Sequence, residues 1–209
     1  MNQRAYGFTL VEIMVTLVVM ALLLMIGLPS MNTWLQNTQL RTSAESIQSG
    51  LQFARAEALR RNVQVRFQLV DTLTAGCALA TGGTNWVVSL ADPTGACGAA
   101  PDDTVAPQIL QTRSGTEGTP NAALAAVTVP PVAGTPANTV VFSGLGRVLA
   151  AMPAGSLGPI TQIDISNPSG GACQPAGPMR CLRVTIASGG QPRMCDPIVA
   201  DNTDPRFCN

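Results

Sequence analysis

The chain has 209 residues, 46% hydrophobic and only 11% charged, which suits one domain with an attached segment and excludes disorder along the whole length. Every cation is Arg, the 12 cations balance 12 acids, and no block of like charge occurs. The basic stripe of a protein that grips nucleic acid through its phosphates is therefore missing.

The N-terminus reads Met1-Asn-Gln-Arg-Ala-Tyr-Gly7 and then runs apolar from Phe8 to Leu28, with Glu12 as its only charge. As a helix this run of 21 residues is about 31 Å long, enough to span a bilayer. A secretory signal carries its small residue after a shorter apolar core, whereas Gly7 precedes this one, so cleavage at Gly7 would leave the helix on the chain. Arg4 lies before the run and no further cation comes until Arg41, which puts the N-terminus on the cytoplasmic side and the remainder outside. A carboxylate within such a run costs a few kcal/mol and is a functional candidate. Glu12 either stays wet near the interface or is neutralised on assembly. If cleavage follows Gly7, the new α-amino group of Phe8 on a neighbouring subunit supplies the cation.

From Ser30 to Asn62 a second helical pattern follows. Leu35, Leu40, Ala44, Ile47, Leu51, Ala54 and Ala58 form an apolar stripe, opposite Gln, Ser and Arg. Arg41 and Glu45, and Glu57 and Arg61, are spaced to support the helix, and Pro29 is placed to bend it. Trp34 suits a membrane interface. Residues 63–70 then alternate as a half-buried strand, with further strands expected at 86–90, 139–142, 147–149, 160–165 and 182–186, and Trp86 in a core strand. The stretches 91–108 and 113–122 read as loops, Asp102-Asp103 as a solvated turn and Gly144-Leu-Gly146 as a turn between strands. The implied class is α+β, a long N-terminal helix packed on an antiparallel sheet.

Six cysteines stand at 77, 97, 173, 181, 195 and 208, with no CxxC pair and no His anywhere, so a zinc site is disfavoured and no metal ligand is assigned. Disulfides in an oxidising compartment are the better reading. Six cysteines admit 15 pairings; proximity favours Cys77–Cys97, Cys173–Cys181 and Cys195–Cys208, with free buried thiols as the alternative. The lack of His, and of GxSxG, P-loop or dinucleotide fingerprints, argues against an enzyme; no catalytic residue or cofactor is assigned.

The stretch Gly7-Phe8-Thr9-Leu10-Val11-Glu12 resembles the leader signal of type IV prepilins and type II secretion pseudopilins. That resemblance implies a leader at 1–7 removed by prepilin peptidase, N-methylation of Phe8, and Glu12 as the acidic fifth residue of the processed chain. It also implies a transmembrane helix at 8–29, its amphipathic continuation at 30–62 and a periplasmic β-rich head at 63–209. Phe142-Ser-Gly-Leu-Gly-Arg147-Val and Arg180-Cys-Leu-Arg183-Val-Thr-Ile, with Gly189-Gly-Gln-Pro-Arg193-Met-Cys195-Asp-Pro, are similar to the GspH/FimT family, nearest to FimU-type minor pilins. The resemblance implies a low-abundance subunit, held in the bacterial inner membrane by a single pass before assembly. It would prime or cap a type IV pilus with other minor and major pilins; a GspH-type secretion pseudopilin is the alternative. DNA-binding FimT-type relatives carry GRxR, but here Gln191 replaces the first Arg of Gly190-Gln191-Pro192-Arg193. Arg180, Arg183 and Arg193 remain as possible DNA contacts, and DNA is not favoured as a partner.

Overall fold

The computed structural model describes residues 7–128 and 135–208, with backbone alone at 26–30 and 128. The leader residues 1–6, including Arg4, and the Pro29 side chain lie outside this set. Helix α1 runs Leu10–Arg61, and the chain divides into two compact units between Leu35 and Gln36.

In the first unit the large apolar side chains stand in the open, from Phe8 and Leu10 through Leu24 and Met25 to Trp34 and Leu35. Leu35 was expected within the buried stripe; instead it is 46% exposed. Among the described residues no helix is long and apolar enough to cross a membrane. The span expected over 8–29 includes positions 26–29, whose side chains lie outside the described set.

In the second unit the remaining stripe is buried: Leu40, Ala44, Ile47, Leu51, Ala54 and Ala58 are each at most 1% exposed. Three alanines on this face let sheet side chains approach the helix backbone closely. Arg60 and Arg61 complement the negative end of the helix dipole. The helix stops at Asn62, whose φ of 53° is the left-handed conformation of a helix C-terminal cap.

Two antiparallel sheets receive the stripe. The first has the order β3 (Ile109–Arg113), β2 (Asn85–Ser89), β1 (Val65–Val70), β6 (Thr139–Phe142). The second has β5 (Thr135–Pro136), β4 (Ala123–Thr128), β7 (Gln162–Ser166), β8 (Leu182–Ile186), β9 (Pro192–Cys195). Alternation sends Phe67, Leu69, Trp86, Val140 and Phe142 of the first sheet, and Ile163, Ile165, Val184 and Ile186 of the second, into one core with the helix. Val70, Val87 and Ile109 bury on the other face of the first sheet, against the Cys77–Cys97 bridge.

The single sheet of the sequence reading is thus two, and β3, β4, β5 and β9 are additional strands. The strand expected at 147–149 is replaced by an isolated bridge, Phe142 to Val148. There the backbone diverges: Leu149 N–H still donates to Val141 O, but Val148 N–H donates to Ser188 O.

Candidate functional site

Two regions carry the residues singled out by sequence. The first is the start of α1. Thr9 precedes the first helical residue, and its Oγ1 accepts the Glu12 N–H at 3.2 Å. Glu12 Oε2 in turn accepts the Thr9 N–H at 3.4 Å. This is a reciprocal capping box, which satisfies two backbone donors that the first turn leaves unpaired. The carboxylate also sits at the positive end of the helix dipole. Glu12 therefore has a local partner within one chain. Thr9 was not singled out, although the T-x-x-E spacing announces it. Among the described residues, chain neighbours aside, nothing lies within 4 Å of where a side chain at Gly7 would begin, and Phe8 is 79% exposed.

The second region is the outer face of β7, β8 and β9 with the loops around it. Arg183 lies opposite Asp164 across β7 and β8, and its Nε donates to Asp164 Oδ1 at 2.6 Å. Arg193 donates through Nη2 to the carbonyls of Pro205 at 2.6 Å and Phe207 at 3.1 Å. Arg180 donates its backbone N–H to Asn37 Oδ1 of α1 at 2.7 Å, and the residue lines a cleft of about 240 Å³. Arg180 and Arg183 share that cleft with Asp164 and Asp196; Arg193 does not line it. The three arginines therefore do not form one basic surface. One is neutralised, one binds the C-terminal tail, and one is open.

The segments that carried the family resemblance meet in the fold. Gly190, at φ 79°, lies so close against the Gly146 carbonyl that a side chain would collide with it. Arg55 of α1 donates Nε–H to the same carbonyl at 3.1 Å. The glycine of Gly190-Gln191-Pro192-Arg193 thus locks two turns to the helix.

The cysteines pair in chain order: Cys77 with Cys97, Cys173 with Cys181, and Cys195 with Cys208. The last bridge ties down the tail, where the Arg206 side chain, by hydrogen bonding, holds the Asp204 carboxyl down at about 2. Among the described residues no three His, Cys, Asp or Glu side chains gather as metal ligands.

The family model described as type II transport protein GspH matches residues 43–190, and the prokaryotic N-terminal methylation motif matches residues 2–28. Two crystal forms of the type IV minor pilin FimU from Pseudomonas aeruginosa are similar in structure. One is 12% identical with a TM-score of 0.44, covering 74% of this chain and 90% of that one. The other is 14% identical with a TM-score of 0.43, covering 75% and 88%. No curated protein sequence matches the chain.

Proposed function

Since this chain belongs to the GspH family, we propose that it is a minor pilin, cut after Gly7 by a prepilin peptidase, methylated on Phe8 and assembled with other pilins at or near the tip of a type IV pilus. The observation that carries this reading is the match to the N-terminal methylation motif over residues 2–28, a range that includes Gly7, Phe8 and Glu12. Helix α1 begins at Leu10, so Gly7 and Phe8 precede it outside regular structure, where a peptidase can reach the bond between them. Before assembly the apolar helix anchors the subunit in the inner membrane, with the head in the periplasm.

Glu12 then has two partners in succession. In the lone subunit it caps its own helix through Thr9. In the fibre its carboxylate meets the Phe8 α-amino group of a neighbour. The role is structural rather than catalytic. The description of the matched family as a type II transport protein favours a secretion pseudopilin as the second reading. DNA binding gains no support, because Arg183 and Arg193 are engaged within the head.

Mass spectrometry of the protein purified from membranes tests the processing. The expected N-terminus is residue 8 with one added methyl group; a chain that retains Met1, or one cut beyond residue 28, sinks the pilin assignment. Loss of pili on deletion supports the pilus, and loss of a secreted protein instead supports the pseudopilus. Glu12→Ala should leave the subunit inserted and folded but reduce its recovery in sheared fibres.

A further inference from the structure

The three disulfides differ in what surrounds their sulfurs. Cys77 and Cys97 are 2% and 0% exposed, enclosed by Val70, Val87 and Ile109. Cys195 is 3% exposed, whereas its partner Cys208 is half-buried near the chain end. Cys173 and Cys181 are both half-buried, and both line the cleft on the outer face of β7 and β8.

Exchange needs a thiolate to reach one sulfur while the other leaves as a thiolate, and a lower pKa makes the better leaving group. Burial in apolar surroundings raises a thiol pKa and neighbouring cations lower it. The Cys77–Cys97 bridge offers no access at either end. At Cys195–Cys208 attack is open only at Cys208, and would expel the buried Cys195. Cys173 and Cys181 both line the cleft, and Cys181 is the chain neighbour of Arg180 and two residues from Arg183, which line it too. Arg183 is already paired with Asp164. Arg180 is exposed, and no carboxylate of the described residues forms an ion pair with it.

We propose that Cys173–Cys181 is a site of thiol–disulfide exchange in the folded head, open to the paired cysteines of a dithiol oxidoreductase, while the other two bridges are closed to it. A thiolate of the reagent attacks Cys173 Sγ; a mixed disulfide forms, the Cys173–Cys181 bond breaks, and Cys181 leaves as a thiolate beside Arg180. The second thiol of the reagent gives up its proton and attacks its own sulfur in the mixed disulfide. Cys173 is released as a thiolate and takes up a proton. Two electrons pass to the bridge, and the reagent leaves as a disulfide.

The bridge closes the loop that carries Met179, 1% exposed in the core, and presents the Arg180 N–H to Asn37 of α1. Gly170, just ahead of this loop, lies against the side chains of Gln36 and Met179. Opening the bridge therefore loosens the head where it holds the segment of α1 around Gln36 and Asn37.

The full-length protein in detergent is treated with dithiothreitol, quenched at intervals with an alkylating agent and mapped by peptide mass spectrometry, with near-ultraviolet circular dichroism reporting the fold. Cys173 and Cys181 should be labelled roughly tenfold faster than the other four cysteines, before the dichroism of the head is lost. Labelling of another pair at an equal or greater rate, or no labelling until the head unfolds, overturns the proposal. Arg180→Gln should slow this phase several-fold, and Arg180→Lys should restore it. A thioredoxin-type protein lacking its resolving cysteine should be trapped on Cys173. An unchanged rate in Arg180→Gln, or trapping on Cys181, refutes the assignment of Cys181 as the leaving group.

Discussion

Gly50 occupies a helix interior, where alanine is ordinarily better by about 1 kcal/mol. A methyl group there would stand 2.9 Å from two Trp86 ring carbons and 3.0 Å from Phe67. Those rings are buried with centroids 5.5 Å apart, so neither has room to withdraw. Overpacking of this kind costs about 1–3 kcal/mol, which cancels or exceeds the helix gain, and Gly50→Ala should lower the thermal midpoint by up to about 8 °C rather than raise it. Glu57 makes the opposite case, of a charge that helps. The Arg60 hydrogen bond, joined by Arg61, holds its carboxyl below the ordinary carboxylate range against the effect of burial. Its stabilisation is complete above the unfolded pKa and is lost as the pH falls through the lower folded value. Glu57→Gln should cost about 1–3 °C at pH 7, and calorimetry at stepped pH should find the difference shrinking as the pH falls below the ordinary Glu range, about 4.3. The contact at Gly50 is not visible in the chain order, because Trp86 and Phe67 reach it only after the sheet has formed, whereas the Glu57–Arg61 spacing was read there and is an ion pair in the fold. The Thr9–Glu12 cap was legible, since its atoms are three residues apart.

Among the elements, α1 and the alternating strands were read well because their periods survive in the sequence: 3.6 along Leu40–Ala58 and 2 along Val65–Val70. The strand at 123–128 was not, because Ala-Leu-Ala-Ala-Val-Thr has neither β-branched density nor alternation, and only its pairing with β7 makes it a strand. The edge strand β9 opens with Pro192, a residue that edges tolerate and central strands do not. Its Arg193 was read as a candidate DNA contact, since sequence displays its charge but not the carbonyls of the returning tail. Arg193→Ala should increase proteolytic nicking within 196–207 several-fold while changing affinity for duplex DNA by less than about twofold. A fall in DNA affinity with an intact tail would restore the nucleic-acid reading.

At the scale of the whole molecule, the head is built from residues after Leu35. Its main core runs from Leu40 to Ile186, and all three bridges lie beyond residue 76. A chain beginning at Gln36 should therefore fold without detergent, keep its bridges, and melt within about 5 °C of the full-length protein by circular dichroism. A truncated head that melts far lower would mean that residues 8–35 stabilise it. The pairing pattern bears on biogenesis as well. Each bridge joins a cysteine to the next one along the chain, at separations of 20, 8 and 13 residues, and no bridge encloses or crosses another. During translocation each cysteine emerges with its partner as the first or second free thiol available. An oxidase acting on thiols in their order of emergence would produce the native set directly, with no reshuffling for an isomerase to perform.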